Sequence, residues 1–349
     1  MSEFSFDLNC PLPLDASERV LLAHGGGGRL MQNLLQNQIF PAFANPLLAP
    51  AHDGAVLPVL GQRLAFSCDS YVVQPLFFAG GDIGQLAVYG TVNDLAMCGA
   101  LPLYLSVGLI LEEGLEMGIL KRVLASMSRA AKLCGVQLVT GDTKVVEKGK
   151  GDGLFIHTAG IGLIQTPLEI TPASVQVGDA ILINGDIASH GMAVMAEREG
   201  LAFEGPVASD CAPLHTLVQD LLSAGLELHC LRDPTRGGVA SVLNEIANQA
   251  EVQIALQAEN IPVAPAVASA CEILGFDPLY VANEGKLLLF LPQAQAEAAL
   301  NLMRDHPLGW AAAQIGSVQA GPPQVLLKNA YGTSRLLDLL SGEQLPRIC

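Results

Sequence analysis

Positive charge is scarce in this chain. Lys and Arg number 18 against 34 Asp and Glu, a net charge of −16. A surface so acidic excludes the phosphate backbone of nucleic acid and anionic membrane as partners, since both need basic contacts. If a phosphate compound is handled, the acidic groups must meet it through a divalent cation. No apolar run reaches the ~20 residues of a membrane span. The opening MSEFSFDLNCPLPLD has neither a basic nor an apolar signal region, so no signal peptide is expected and the cytoplasm is the expected compartment. The eight cysteines never form CxxC, which removes a zinc ribbon and a thioredoxin-type pair. Disulfides are not expected in the cytoplasm, and most of these thiols read as small buried apolar groups. Cys349 is the exception. No GxxxxGK[ST] P-loop and no GxGxxG fingerprint occur either.

What is present is apolar and layered. Half of the 349 residues are hydrophobic, and that length exceeds one ordinary core, so two domains are expected. Residues 1–20 read as a loose lead-in. HGGGGRLMQNLL (24–35) reads as a glycine loop opening a helix. Strand-like runs RLAFSCDS (63–70), VQLVTGD (136–142) and LFIHTAGIGLI (154–164) follow. MGILKRVLASMSRAAKLCG has helical spacing, with Ile119, Val123, Met127, Ala130 and Leu133 on one face and Gly135 as its C-cap. The polar stretch 165–179 marks the domain boundary, within about ten residues. Beyond it AILING, HGMAVMAERE, RGGVASVLNEIANQA, KLLLFL and a segment near 293–304 alternate strand with helix. The fold class is therefore α/β in layers: an N-terminal domain over 21–168, a second over 169–340 and a mobile tail over 341–349.

Five constellations could carry chemistry. Asp53, Asp69, Asp94 and Asp142 each lie at or near the end of an apolar run, where a turn would expose a carboxylate. Hard oxygens on separate turns suit Mg²⁺ bridging to a triphosphate; each Asp alone is equally well read as a turn or cap residue. Gly25, Gly26, Gly27 and Gly28 allow backbone N–H groups to approach a phosphate, or simply make a pliant turn. Lys144 in GDTKVV stands two residues from Asp142, placed to neutralise developing charge or to sit on the surface. Glu284 in ANEGKL precedes an apolar strand and is a candidate general base across the interdomain cleft, or a plain turn residue. RDPTRGGVASVLNE (232–245) reads as an anion seat or, better, as an elaborate helix start.

In the order glycine loop, DS, NDLA, GDTKVV, DPTRGG, ANEG and terminal PRIC, the chain resembles the HypE hydrogenase-maturation family of aminoimidazole ribonucleotide synthetase-like ATP enzymes. The resemblance runs from about residue 21 to the end; PRIC singles out HypE within the superfamily. It implies an N-terminal domain whose sheet dimerises into a barrel-like core, with ATP and Mg²⁺ in the cleft near the dimer interface. It implies ATP-dependent dehydration of a carbamoyl group on Cys349 to a thiocyanate, supplying cyanide to the iron of a [NiFe]-hydrogenase precursor. The implied partners are a HypF-type carbamoyltransferase that loads Cys349 and a HypC–HypD-type iron scaffold. Asp53, Asp69, Asp94 and Asp142 match the metal-binding positions, and Gly25 to Gly28 the nucleotide loop. Asn93, Asp142 and Thr143 match cofactor-binding positions, and Lys144, Glu284 and Cys349 catalytic ones. The loop reads GGGGR where GSGG-type loops are common, and residues 1–20 have no clear counterpart.

The residues suit that chemistry. A free thiol titrates near ~8.5, and a neighbouring α-carboxylate raises that further, so a partner's active site is expected to load Cys349. Nine extended residues sweep roughly 30 Å, with Ile348 as an apolar anchor and Pro346 as a stiffener. Three other readings compete: a selenophosphate synthetase, a thiamine monophosphate kinase, and a non-enzymatic adaptor with a docking tail. The first wants Cys and Lys beside the glycine loop. Cys10 stands 15 residues before Gly25, with no lysine nearby.

Overall fold

Alternation in RLAFSCDSY makes Arg63–Tyr71 a strand (β1) with unlike faces: Ala65 and Tyr71 are buried, whereas Leu64, Phe66, Cys68 and Ser70 are exposed. The computed structural model describes residues 19–20, 34–44, 63–201, 205, 207–338 and 348. A small hairpin, β2 (Phe77–Phe78) and β3 (Gly81–Asp82), follows β1. Next come β4 (Ala100–Glu112), β5 (Gln137–Val146) and β6 (Leu154–Ile164), giving a sheet ordered β1-β6-β4-β5. Only β4 and β5 pair in parallel within it, and helix α2 (Met117–Cys134) makes their crossover.

Helix α1 (Ile83–Met97) and α2 cover one face of this sheet. Asp82 caps α1, accepting from the backbone N–H of Gly84 (2.8 Å) and Gln85 (3.0 Å), and Ser126 of α2 donates to its other oxygen at 2.6 Å. All of α1 except Gln85 and Asp94 is buried, because the second domain closes over its outer side. Gly135, at φ 68°, ends α2 in the left-handed conformation expected of it. Leu133 does not belong to the buried stripe: it is 66% exposed. Leu120, Val123, Leu124, Met127, Ala130, Ala131 and Cys134 face the core instead.

The second domain is built on strands β7 (Asp179–Ile183), β8 (Cys230–Arg232), β9 (Gln253–Gln257), β10 (Leu288–Pro292), β11 (Ala313–Gln319), β12 (Gln324–Lys328) and β13 (Ser334–Leu336). Their order is β13-β12-β9-β11-β7-β10-β8, antiparallel apart from the β12–β9 pair. β7 is buried along its whole length because both faces are covered. On one side lie α3 (Ser189–Glu199), α5 (Gly238–Ala250) and α6 (Pro265–Leu274). On the other lie α4 (His215–Ser223) and α7 (Ala296–Asp305), joined by Ala96 and Met97 from the end of α1. The chain is thus a layered α/β fold in which α1 is shared by both halves. Ile348 returns to the first core, 5% exposed, in the cluster that holds Phe78, Val194 and Ala282.

Candidate functional site

Three of the expected aspartates, those among the described residues, do not sit on turns. Asp69 is inside β1, Asp94 is the only acid of α1, and Asp142 lies in the middle of β5, which runs on through Thr143 and Lys144 to Val146. The strand continues because TKVV resumes alternation, burying Thr143 and exposing Lys144. Glu284 does occupy a bend, just before β10. Gly25 to Gly28, Asp53 and Cys349 lie outside the described residues.

Asp69 and Asp94 come together. Ser67, two residues from Asp69 on the same face of β1, donates to Asp94 Oδ2 at 2.6 Å. Asp233 enters from the loop after β8, and Glu284 from the loop before β10. Glu284 is 4% exposed, and burial lifts its carboxyl well above the usual range, helped by Asp233, Asp210, Asp69 and Asp94. Burial, then Asp94, pushes Asp233 up to about 7. Asp94 is raised by burial too, with Asp69 adding to it while the Ser67 bond opposes it. Asp94, Asp233 and Glu284 are thus each raised by burial and by the charge of neighbouring carboxylates. Among the described residues no three acidic, His or Cys side chains form a metal-holding group. The donor set nonetheless suits a hard divalent cation, which would relieve the repulsion recorded in these shifts.

Backbone anchoring around Glu284 is dense. Its N–H donates to Asp210 Oδ1 at 3.1 Å, and Lys286 Nζ stands 3.3 Å from Asp210 Oδ2. The neighbouring Asn283 accepts from the N–H of Ala188 (2.7 Å) and donates to the carbonyl of Pro234 (2.9 Å), so the loops bearing Glu284 and Asp233 are stitched to the start of α3. Gly285 permits the closest approach: a Cβ there would lie 1.9 Å from the Asp210 carbonyl oxygen. Asn93 serves the same closure. Its amide donates to the carbonyls of Ala212 (3.0 Å) and Glu284 (3.4 Å) and accepts from the N–H of Leu214 (2.8 Å), pinning α1 to the second domain.

Asp142 and Lys144 are elsewhere. They form a pair at 2.9 Å on the opposite, open face of the sheet, and that bond lowers the Asp142 carboxyl. β5 is the sheet edge opposite β1. Three strand spacings, about 14 Å, separate it from Asp69. One chain therefore assembles Asp69, Asp94, Asp233 and Glu284, and keeps Asp142, Thr143 and Lys144 apart from them. Asp233, Asp210 and His190 escape sequence reasoning. RDPTRGG draws attention to its arginines, of which Arg232 bonds Glu245 at 2.9 Å while Arg236 is exposed.

Comparison with known proteins places this geometry. Family models described as "AIR synthase related protein", N-terminal and C-terminal domains, match residues 51–164 and 176–328. The carbamoyl dehydratase HypE of Bradyrhizobium diazoefficiens is 50% identical over 330 residues, covering 94% of this chain and 95% of that protein. A crystal structure of the hydrogenase maturation protein HypE in complex with ATP superposes with a TM-score of 0.91 at 49% identity, covering 94% of this chain and 99% of that one. The HypE of a HypE–HypF complex matches at TM-score 0.78 and 45% identity, covering 90% and 100%. With its two AIR synthase-related domains and identity of this extent over nearly its whole length, the chain belongs to the HypE carbamoyl dehydratase family.

Proposed function

We propose that the chain dehydrates a carbamoyl group carried on Cys349 to a thiocyanate at the expense of ATP, in the maturation of [NiFe]-hydrogenases. One observation carries the reading. Ile348, covalently joined to Cys349, is buried against His190, whose partner Ser209 is next in sequence to the Asp210 that holds Glu284. Ile348 is thereby tied, through His190 and Ser209, to the loop that holds Glu284.

The amide oxygen is a poor leaving group until it is phosphorylated in line from the γ-phosphate. That transfer releases ADP and one of the two N–H protons; elimination then breaks the C–O bond, removes the remaining proton from nitrogen and leaves S–C≡N and phosphate. Glu284 is the proposed acceptor of that proton. Burial raises the proton affinity of its carboxyl, which favours accepting one. Bound Mg²⁺ would supply charge neutralisation at the phosphates, and Asp69 and Asp94, with Asp53, are the residues proposed to hold it. Gly25 to Gly28 are proposed to cradle the nucleotide.

Lys144 reaches this site only from a second copy. The open sheet face carries Leu64, Phe66 and Ile110, which are 55%, 70% and 42% exposed in a single chain. An apolar face of this kind is matched by its own copy closing into a barrel, which moves Asp142 and Lys144 towards the neighbour's cluster. A HypF-type protein is the proposed donor of the carbamoyl group, and a HypC–HypD-type scaffold the acceptor of cyanide. The test is intact-mass analysis of the C-terminal peptide after incubation with such a donor, its substrate and ATP. Gain of one carbamoyl group followed by loss of one water supports the reading. A carbamoyl adduct that persists with ATP present overturns it.

A further inference from the structure

His190 has no part in that reaction scheme, yet it is wholly buried and fully bonded. Its Nε2 lies 2.6 Å from the carbonyl oxygen of Ile348. A carbonyl only accepts, so Nε2 carries the hydrogen. Nδ1 is then the bare nitrogen, and the Ser209 hydroxyl donates to it at 2.8 Å. Ser209 Oγ in turn accepts from the backbone N–H of Cys211 at 3.0 Å. The ring also stands edge-on to Phe78, with centroids 5.4 Å apart and planes at 87°. Burial lowers the basicity of this imidazole, in keeping with a neutral ring.

We infer that His190 is a latch: by donating from Nε2 to the Ile348 carbonyl it seats the penultimate peptide group beside the loop that holds Glu284, and so restrains the thiol-bearing residue joined to it. The inference rests on the dehydratase reading for its purpose but on the hydrogen bonds above for its geometry. The peptide plane whose oxygen is bonded to His190 has the nitrogen of Cys349 at its other end, so fixing one end restricts the other. The reference frame is the tripeptide Ser209-Asp210-Cys211. Ser209 sets the His190 tautomer, and Asp210 accepts from the Glu284 N–H. Ser209 N–H also donates to the carbonyl of Ala79 at 2.8 Å, tying that tripeptide to the first domain's hairpin. The seat of the chain end and the seat of the base are thus set by adjacent residues, and a single hydrogen bond is weak enough to release when a partner must reach the thiol.

The experiment compares His190→Leu, which keeps the volume and loses the donor, with His190→Gln, whose amide nitrogen replaces it, and with Ser209→Ala. Native full-length protein is exposed briefly to a maleimide, and labelling of the C-terminal peptide is followed by mass after digestion. Labelling of Cys349 should accelerate about fivefold to tenfold in His190→Leu, less in Ser209→Ala, and stay near the wild-type rate in His190→Gln. ATP affinity should be unchanged in all three, while single-turnover dehydration slows with the labelling order. A folded His190→Leu protein labelled at the wild-type rate overturns the latch, and if that variant fails to fold, unchanged labelling in Ser209→Ala does so. Accelerated labelling in a protein whose wild type never dehydrates its adduct would leave the latch standing and sink the dehydratase reading instead.

Discussion

At the scale of residues, the cluster's character lies in carboxyls that resist ionisation. Replacing Glu284 by Gln keeps its shape and removes the base. Dehydration of the loaded protein should fall by roughly 10²-fold or more while ATP binding, followed by calorimetry, persists. Asp233 offers a pH test. Its carboxyl titrates at about 7 in the folded chain and near ~3.9 when unfolded, so between these values the folded state holds the extra proton. The cation-free protein must therefore lose stability through this group as pH rises from about 4 to about 7, the reverse of an ion-paired Asp. Asp233→Asn should flatten that slope in thermal melts and raise the melting temperature at pH 7, and a slope identical to wild type would refute the assignment. Glu284 and Asp94, raised likewise, leave some of the slope in place.

At the scale of elements, the loops before β10 and after α3 meet backbone to backbone at Gly285. Gly285→Ala should cost about 1–3 kcal/mol in denaturant unfolding, because the Asp210 carbonyl cannot recede without dragging Glu284. Asp82→Ala removes the cap of α1 and strands Ser126, and a loss of roughly 1–2 kcal/mol is expected in the same measurement. Here sequence reasoning does best with periodic segments. The strand at 154–164 and the Gly135 stop are legible because alternation and a left-handed cap are local properties. Leu133 misleads because a helix can spend one leucine on its solvent side, and only the neighbours decide which. Sequence reasoning groups Asp69 with Asp94 and sets Glu284 across a cleft from them, but it adds Asp142 to the group and does not see Asp233. The meeting of Asp69, Asp94, Asp233 and Glu284 depends on α1 being wedged between two domains, which no local pattern records. His190 is hidden for the same reason: its partners lie 19 and 158 residues away.

At the scale of the whole molecule, the first domain leaves its sheet half covered. If this face pairs two copies as proposed, Phe66→Asp, placing charge on its most exposed apolar side chain, should shift light scattering from a dimer mass to a monomer mass and abolish turnover. An unchanged dimer mass would show that another surface pairs the copies. The separation of Lys144, on the open face of the first sheet, from Glu284, in the loop before β10, has a genetic meaning as well. A chain crippled at Lys144 and a chain crippled at Glu284 carry complementary defects, so mixing the two inactive proteins should restore turnover in the hybrid, where one of the two centres draws only intact parts. Placing both lesions on the same polypeptide leaves each centre of a hybrid with wild type short of one part, and activity should then come only from the wild-type pairs.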